Sequence, residues 1–419
     1  MSARPVAAIP SDWTAAVLRD HIHVKHGFAF KSEYFGADGP YALLTPGNFY
    51  DDGGFKAQGD RQKRYDGPVP EEFIHRPGDL VVAMTEQAEG LLGSSALVPQ
   101  GDVYLHNQRV GLVTSQTVDR CFLFYLFNYK PVRAQISASA SGTKVRHTSP
   151  TRIGEVCFGL PPLNTQRRIA AILSAYDDLI QVNARRVDIL EEMSRRLFDG
   201  WFVNVCGPVA EAKGSEPAKW PLSSFSTLAD FVNGYAFEPS DWETTGRPII
   251  KIRELKRGVT GSTPRHSAIL ADRYLIRSGD LLFSWSGDLD AYLWAGEDGW
   301  LNQHLFKVLP KAGTPLSFIF LALRNSMPEF RVRTTGTTMK HIKRSALDQV
   351  KIRVPPPGLL SAFDRNCAPL LRQIIVLKKS ICCLRTARDL LLPKLISGEI
   401  DLTSRARGLN AAADQAAAE

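Results

Sequence analysis

The sequence lacks the cysteine patterns that mark a metal site or a disulfide framework. Its 419 residues include six cysteines. None of them forms a Cys-x-x-Cys pair or stands at a zinc spacing from histidines, so we interpret them as buried thiols in a reducing compartment. The amino terminus has no apolar signal core, and no apolar run is long enough to span a membrane. These absences predict a cytoplasmic protein with no bound metal and no membrane segment.

The motifs that carry catalysis on nucleotides or nucleic acids are also missing. There is no Gly-x-x-x-x-Gly-Lys-Ser/Thr phosphate loop, no Asp/Asn-Pro-Pro-Tyr/Phe amino-methylation signature and no glycine-rich loop of a methyl-donor site. No nucleophile-elbow pattern suggests a hydrolase. We therefore expect no catalytic residue and no cofactor in this chain.

The composition is that of a globular protein, with 44% hydrophobic and 22% charged residues. The length exceeds one typical domain and predicts two or three compact units. The formal net charge is +8, and the basic excess is concentrated at 219–353, whereas 4–152 is nearly neutral. This balance is compatible with a polyanionic partner but does not require one.

Short segments of the first half recur in the second half in the same order. The matching pairs are 27–30 with 234–237, 76–80 with 277–281, 107–108 with 302–303, 142–147 with 336–341 and 160–162 with 354–356. The separation within the pairs shortens along the chain, as loop deletions between aligned elements would produce. We infer a duplicated unit of roughly 200 residues.

Each copy is predicted to be a globular domain of mixed α and β structure followed by one long helix. Short β-rich runs at 79–84 and 280–285 follow glycine turns, and a helix is expected at 122–128 and again at 316–324. The predicted boundaries are 1–160 for the first globular domain, 161–203 for the first long helix, 204–218 for a linker, 219–354 for the second globular domain, 355–400 for the second long helix and 401–419 for a loose tail.

A heptad pattern follows each Pro-Pro pair. The a positions predicted to form a seam are Ile169, Tyr176, Asn183, Leu190 and Leu197 in the first copy and Phe363, Leu370, Leu377, Leu384 and Leu391 in the second. The d positions of the first copy are Ile172, Leu179, Arg186 and Met193. In the second copy the d positions are weak, and Ile374 and Ile381 at the e positions are strong.

Each of these helices could be an ordinary core helix of its own domain. Two equivalent helices that each close a repeat favour mutual pairing instead, with Asn183 on the seam helping to fix the register. Pro369 is expected to start or kink the second helix. The expected fold is therefore α+β, with two duplicated mixed α/β domains separated by a long antiparallel two-helix coiled coil.

Two glycine-threonine loops are the first candidates for nucleic-acid contact, because glycine permits close backbone approach and Lys or Arg can neutralise phosphates or reach guanine edges. The candidate DNA-binding residues there are Thr143, Lys144, Arg146, His147, Thr337, Lys340, His341, Lys343 and Arg344. Such a loop could equally be a solvated turn with charges at its rim. Its recurrence in both halves favours the functional interpretation.

Two amide pairs are the second candidates, because amide side chains can pair with adenine. They are Asn107 with Gln108 and Asn302 with Gln303. These amides could instead cap buried strand ends at a structural crossing. The aromatic residues of the first repeat motif, which are Phe28, Phe30, Tyr235 and Phe237, are expected in the core. Arg76 and Arg277 are interpreted as turn residues.

The junctions of the repeat resemble those of the specificity (S) subunits of type I restriction-modification enzymes. In that family a Pro-Pro-Leu-x-x-Gln element leads into the first spacer helix, as at 161–166, and a Leu-Leu-Pro-Lys-Leu-x-Ser-Gly-Glu-Ile element closes the second, as at 391–400. The resemblance covers nearly the whole chain and includes the Gly-Thr loops, the Gly-Asp-Leu turns and the Asn-Gln pairs. One departure is that 355–359 lacks the expected Gln.

The resemblance implies a pseudo-twofold molecule whose two target-recognition domains lie at opposite ends of an antiparallel helix pair about 50 Å long. Each domain would bind one half of a bipartite, asymmetric site in double-stranded DNA. It also implies that the helices dock two modification (methyltransferase) subunits, and that restriction subunits add translocation and cleavage. S-adenosylmethionine, ATP and Mg would then be bound only by those partners.

Two other hypotheses remain open on the sequence. The chain could be a non-catalytic helical scaffold that tethers partner proteins without binding DNA, or it could be an enzyme in its own right. The missing catalytic motifs disfavour the enzyme.

Overall fold

The computed structural model describes residues 9–86, 90–204, 217–336 and 341–402. The chain divides into two compact units. Unit 1 comprises Met1–Asp177 with Thr386–Glu419, and unit 2 comprises Asp178–Arg385. Each unit contains one sheet-rich domain and a part of each long helix. The predicted linker at 204–218 and the predicted tail at 401–419 lie largely outside the described residues.

Unit 1 is a mixed α/β domain. Its strands are β1 (Thr14–Val17), β2 (His23–His26), β3 (Phe35–Gly36), β4 (Tyr41–Leu44), β5 (Arg64–Tyr65), β6 (Leu80–Ala83), β7 (Thr85–Glu86), β8 (Ser95–Leu97), β9 (Val103–His106), β10 (Val110–Thr114), β11 (Arg146–His147) and β12 (Cys157–Leu160). Its helices are α1 (Arg120–Asn128), α2 (Lys130–Ala138), α3 (Pro150–Gly154) and the first part of α4 (Leu163–Phe198).

Two four-stranded sheets build the core of unit 1. One is antiparallel with the order β2-β10-β6-β8, and the other has the order β3-β5-β4-β9 with β4 and β9 parallel. The strand β6 is apolar throughout because it is buried on both faces. Leu80 and Val82 pack in the cluster that contains Phe122 of α1, whereas Val81 and Ala83 face a second cluster that contains Tyr104.

Unit 2 repeats this plan. Its strands are β13 (Leu222–Ser224), β14 (Ala229–Asn233), β15 (Arg247–Ile250), β16 (Arg265–His266), β17 (Leu275–Ile276), β18 (Leu281–Ser284), β19 (Asp290–Leu293), β20 (Gly299–Leu301), β21 (Leu305–Pro310), β22 (Thr334–Thr335), β23 (His341–Ile342) and β24 (Lys351–Arg353). Its helices are α5 (Phe225–Leu228), α6 (Ile252–Arg257), α7 (Leu316–Asn325), α8 (Met327–Val332), α9 (Ala346–Gln349), most of α10 (Pro357–Ile396) and the second part of α4.

The topology of unit 2 confirms the duplication inferred from the sequence. The antiparallel sheet β14-β21-β18-β19 corresponds to β2-β10-β6-β8, and the parallel pair β15 and β20 corresponds to β4 and β9. The strand predictions at 79–84 and 280–285 are confirmed by β6 and β18, and the helix predictions are confirmed by α1 and α7.

The first long helix, α4, spans Leu163–Phe198 and is followed by a π-helical turn at Asp199–Val203. Its start is fixed by Gln166, whose side chain accepts the amide of Asp119 at 2.8 Å and donates to the carbonyl of Pro161 at 2.8 Å. Asp119 caps α1 through the amide of Phe122. The Gln of the junction motif therefore ties the start of α4 to the start of α1.

The second long helix, α10, begins at Pro357, so the prediction that Pro369 starts it is wrong. A proline is well tolerated at the first position of a helix, where its missing amide would have no partner anyway. The absence of the junction Gln in this copy has a physical explanation. Leu360 occupies the equivalent position and is buried in the core of unit 2, where packing replaces the hydrogen bonds of Gln166.

Within unit 2, α4 and α10 run antiparallel. Asn183 Nδ2 donates to Ser380 Oγ at 3.3 Å, and in the π-helical turn that follows α4 the ring of Phe202 lies 4.7 Å from that of Phe363. Within unit 1, Arg388 of α10 pairs with Asp177 of α4 at 2.5 Å, and Asp177 also accepts the hydroxyl of Tyr125 at 2.6 Å. Each unit thus holds its own parts of the two helices.

The buried stripe of α4 follows the a and e positions of the predicted heptad. Of the predicted a positions, Ile169, Asn183, Phe363 and Leu377 are buried, and Tyr176, Leu190, Leu197, Leu370, Leu384 and Leu391 are half-buried. The e positions Leu173 and Val187 are buried, but the d positions Leu179, Arg186 and Met193 are exposed. The helix packs against its own globular domain as well as against the other helix, which moves the buried stripe away from a strict a/d seam.

Candidate nucleic-acid interface

In unit 1 the basic loop and the amide turn flank one short segment at the end of β6. The strand β11 pairs with β7, and the amide of Thr148 donates to the carbonyl of Met84 at 2.9 Å. On the other side, the amide of Met84 donates to the carbonyl of Arg109 at 2.9 Å. We call the surface formed by 84–86, 107–109 and 141–148 the loop edge of unit 1.

Unit 2 has an equivalent loop edge, formed by 285–286, 302–304, 334–336 and 341–344. The amide of Ile342 donates to the carbonyl of Trp285 at 3.0 Å, and the backbone of Ser286 pairs with that of His341 in an antiparallel β-bridge. The indole of Trp285 donates to the carbonyl of Gln303 at 3.1 Å. The candidates Thr337 and Lys340 lie outside the described residues. In both units the structure therefore brings together the two kinds of candidate that the sequence singled out.

The amide turn divides each Asn-Gln pair into a structural and an exposed residue. Asn107 Oδ1 accepts the amide of Arg109 at 2.9 Å, and Asn302 Oδ1 accepts the amide of His304 at 3.3 Å. Asn302 is buried and Asn107 half-buried, whereas both glutamines, Gln108 and Gln303, are exposed. The structure thus supports the capping interpretation for the two asparagines.

A glycine of the first repeat motif packs closely against the amide turn in both units. A Cβ on Gly27 would lie 1.9 Å from the carbonyl oxygen of Asn107, and a Cβ on Gly234 would lie 2.1 Å from that of Asn302. Of the four aromatic residues expected in the core, Phe30 and Phe237 are buried, and Phe28 is not. Phe28 is 37% exposed and packs edge-on against Phe30, as Tyr235 does against Phe237.

The basic residues of the loop edges fall into two groups. Arg146 is held by Glu86 Oε1 at 3.1 Å and by the carbonyl of Ser137, and Arg344 donates to the carbonyl of Phe231 at 2.9 Å. Their charges serve the fold of each unit. In contrast Lys144, next to the exposed Thr143, and Lys343 are exposed, and their ammonium groups have no partner among the described residues.

The histidine of each basic loop, His147 or His341, contacts a threonine of a neighbouring strand. His147 Nδ1 lies 3.0 Å from the hydroxyl of Thr85, and His341 Nε2 lies 3.3 Å from that of Thr335. Both contacts join the basic loop to a neighbouring strand.

Glu86 is a residue of the loop edge that sequence reasoning missed. Its carboxylate is buried, and Oε2 accepts the amides of Gly90, Leu91 and Leu92 at 3.1, 2.8 and 2.8 Å. With Oε1 on Arg146, this one side chain holds the backbone at 90–92 and the basic loop at the same time. A single Glu after a strand carries no motif, so no sequence signal pointed to it.

A second missed feature is a buried polar chain in unit 1. The carboxylate of Asp79 lies 3.3 Å from His75 Nδ1, and His75 Nε2 lies 2.8 Å from His106 Nδ1. Burial alone would raise the pKa of Asp79, but hydrogen bonds from His75 and from the Arg76 amide lower it below its usual value. Burial lowers the pKa of His106 to about 3, and the neighbouring His75 contributes to this shift.

In unit 2 the carboxylate equivalent to that of Asp79 belongs to Asp280 and has a different partner. Asp280 pairs with the ammonium of Lys307 at 2.8 Å, and Leu301 stands where unit 1 has His106. An ammonium group thus pairs with this carboxylate in unit 2, where unit 1 uses an imidazole.

We expect acid to destabilise unit 1 through His106. Its pKa is lowered in the folded state, so only the unfolded chain takes up this proton as the pH falls from about 6.5 towards 3, and unfolding becomes easier. The expected loss is about 2 kcal/mol at pH 5. Hydrogen exchange of the amides of β9, corrected for the intrinsic rate at each pH, measures it. The variant His106→Leu carries the residue that unit 2 has at this position, and its free energy of unfolding should depend less on pH. If the pH dependence is as steep as in the unaltered protein, His106 is not its source.

Within the described ranges, no helix is long and apolar enough to cross a membrane. The same residues contain no group of three or more His, Cys, Asp or Glu side chains that could hold a metal ion.

A model of the type I restriction modification DNA specificity domain matches residues 10–192 and 217–368. The chain is 23% identical to the type I restriction enzyme MjaIX specificity subunit of Methanocaldococcus jannaschii, covering 94% of this chain and 95% of that protein. It is 21% identical to the HindI specificity subunit of Haemophilus influenzae, covering 63% of this chain and 73% of that protein.

The fold also occurs among solved structures of this family. The S subunit of a type I restriction-modification system from M. genitalium aligns with a TM-score of 0.59 at 14% sequence identity, and the alignment covers 94% of this chain and 98% of that one.

Proposed function

This chain belongs to the family of type I restriction modification DNA specificity domains, and from that premise we propose that it recognises a bipartite, asymmetric DNA site, one half-site for each unit. The observation that carries the proposal is the pair of loop edges. Each presents exposed polar and basic side chains on the same backbone frame, and the side chains differ between the units. A duplicated frame with different side chains suits the recognition of two different half-sites.

The exposed lysines Lys144 and Lys343 supply contacts of the kind that phosphates require. Phosphate contacts position a protein on the duplex without selecting sequence, and base contacts from neighbouring side chains then provide specificity. We propose that these two lysines bind phosphates. Arg146 and Arg344 act through the fold instead, because their guanidinium groups are engaged within their own units.

Replacing Lys144 or Lys343 by alanine is expected to weaken DNA binding and to reduce the slope of log K against log salt by about one for each lysine. Binding of the target duplex by the complex with its methyltransferase subunit, measured over a salt series, gives this slope. Lys130→Ala and Lys351→Ala are matched controls, since both lysines are exposed outside the loop edges, and they should leave the slope unchanged. Normal slopes in both loop variants would show that the lysines do not contact phosphates.

The partner proposed for the helices is the methyltransferase subunit. The outer face of α4 in unit 2 carries Leu179, Val182, Ile189 and Met193, with exposed fractions of 52%, 47%, 53% and 48%. Their spacing places them on one side of the helix, and we call them the apolar stripe of α4. In the second copy, Val376 and Cys383 of α10 stand at the positions of Val182 and Ile189 and are also exposed.

An exposed apolar stripe on a long helix is a typical docking surface for a partner helix. The stripe on α4, and the exposed Val376 and Cys383 at two of its four positions on α10, fit two modification subunits, one for each copy. Restriction subunits would join the same complex. We further propose that the complex acts in the cytoplasm, and that S-adenosylmethionine, ATP and Mg are bound by the partner subunits and not by this chain. A scaffold that does not bind DNA would keep the stripe, but it would not need the basic loop edges.

A further inference from the structure

We propose that the residue two positions after the asparagine of each amide turn, Arg109 in unit 1 and His304 in unit 2, selects a base pair in the half-site of its own unit. The glutamine between them, Gln108 or Gln303, makes a contact that both half-sites share. This inference rests on the proposed function, because it requires that the loop edges contact DNA.

The first step of the argument is that the backbone of Arg109 is fixed on both sides. Its amide donates to Asn107 Oδ1 at 2.9 Å, and its carbonyl accepts the amide of Met84 at 2.9 Å. Asn107 is in turn confined by Gly27, where no side chain fits. A contact residue must be held in place if it is to distinguish bases, because a mobile side chain adapts to several partners.

The same frame holds His304. Its amide donates to Asn302 Oδ1 at 3.3 Å, the amide of Asn302 donates to the carbonyl of Ile250 at 3.3 Å, and Gly234 leaves no room beside the carbonyl of Asn302. The ring of His304 lies 5.9 Å from that of Trp285. The two turns therefore present their third residues from equivalent positions.

The second step uses the duplication as an internal control. Two units that recognise different half-sites can share the residues that bind common features of DNA, but they must differ at the residues that select bases. Along the amide turn the Asn and the Gln are identical in both units, and the third residue changes from Arg to His. Because Asn107 and Asn302 shape the turn, the difference in selectivity falls on Arg109 and His304.

The third step concerns what each side chain can recognise. The side chain of Arg109 is exposed and has no partner among the described residues. Its guanidinium is therefore available for bidentate contact with O6 and N7 of guanine. His304 is half-buried, its Nδ1 is buried with no hydrogen-bond partner among the residues that the structure describes, and its pKa is lowered by burial and, to a lesser extent, by the nearby Lys251. A neutral imidazole with one accessible nitrogen makes a single hydrogen bond. Arg109 should therefore discriminate more strongly than His304.

The test compares Arg109→Ala, Arg109→Lys and His304→Ala in the complex with the methyltransferase subunit, by sequencing the methylated adenines that each complex produces. Both Arg109 variants should lose about 10- to 100-fold of the preference at one G·C base pair of a single half-site. Lysine keeps the charge but not the bidentate geometry, so this variant separates selectivity from affinity. His304→Ala should reduce the base preference at one position of the other half-site, by a smaller factor.

Arg76→Ala is the matched control, because Arg76 is an exposed arginine of unit 1 whose amide is held by Asp79 at 2.9 Å in a turn outside the loop edge. The complex with Arg76→Ala should methylate the same DNA motif as the complex with the unaltered protein. An unchanged motif in both Arg109 variants would overturn the inference, and so would a uniform loss of affinity with the motif intact, since that is the signature of a phosphate contact. Absence of any split motif with the unaltered chain would overturn the proposed function as well.

Discussion

Replacing Leu377 by aspartate is expected to lower the free energy of unfolding of unit 2 by at least about 3 kcal/mol. The side chain of Leu377 is 7% exposed and belongs to the same core as Val187 of α4 and Phe363 of α10. A carboxylate at this position would be buried among apolar side chains without a partner. Chemical denaturation followed by tryptophan fluorescence measures the loss, because six of the seven tryptophans belong to unit 2.

The neighbouring residue provides the matched control. Val376 is 58% exposed on the same helix, so Val376→Asp introduces the same charge next to position 377 without burying it. We expect a change below about 1 kcal/mol for this variant. Equal stabilities of the two variants would show that the interior face of α10 has been assigned wrongly.

The double replacement Ile189→Asp with Met193→Asp is expected to abolish stable binding of the methyltransferase subunit while unit 2 stays folded. Both side chains are about half exposed, so their replacement removes little from the core of this chain. In a complex they would place two charges in an apolar helix interface, where desolvation without a partner is costly. Co-purification and analytical ultracentrifugation measure the assembly, and we expect an affinity loss of about 100-fold or more.

A single replacement on another side of the same helix controls for charge. Gln181 is exposed and lies off the apolar stripe, so Gln181→Asp should bind the methyltransferase subunit normally. If the double variant also assembles normally and methylates DNA, the apolar stripe is not the docking surface.

The duplication made much of the fold predictable. A run such as Leu80–Ala83 is ambiguous in one copy, but its recurrence at Leu281–Ser284 after the same Gly-Asp turn identifies a strand buried on both faces. The heptad pattern predicted both long helices correctly, but it predicted only some of the residues that are buried between them. A heptad frame describes two helices that touch only each other, whereas α4 also packs against its own domains, so Leu179 and Met193 lie outside and Val187 lies inside.

The candidate interface was predictable in place but not in the role of each residue. Composition identified the basic loops, yet Arg146 and Arg344 are engaged within their units by Glu86 and by the carbonyl of Phe231. These contacts join residues far apart in the chain, and no local pattern encodes them. The same holds for the chain from Asp79 through His75 to His106, which forms only when β9 packs beside the Gly-Asp turn.

The most direct test of sequence recognition is to co-express the full chain with its methyltransferase subunit and to map methylated adenines across the host genome. We predict methylation at one split motif made of two short, different half-sites, and none when either subunit is omitted. A complex that forms but produces no sequence-specific methylation and binds no duplex would contradict the account, and would favour a scaffold that does not recognise DNA.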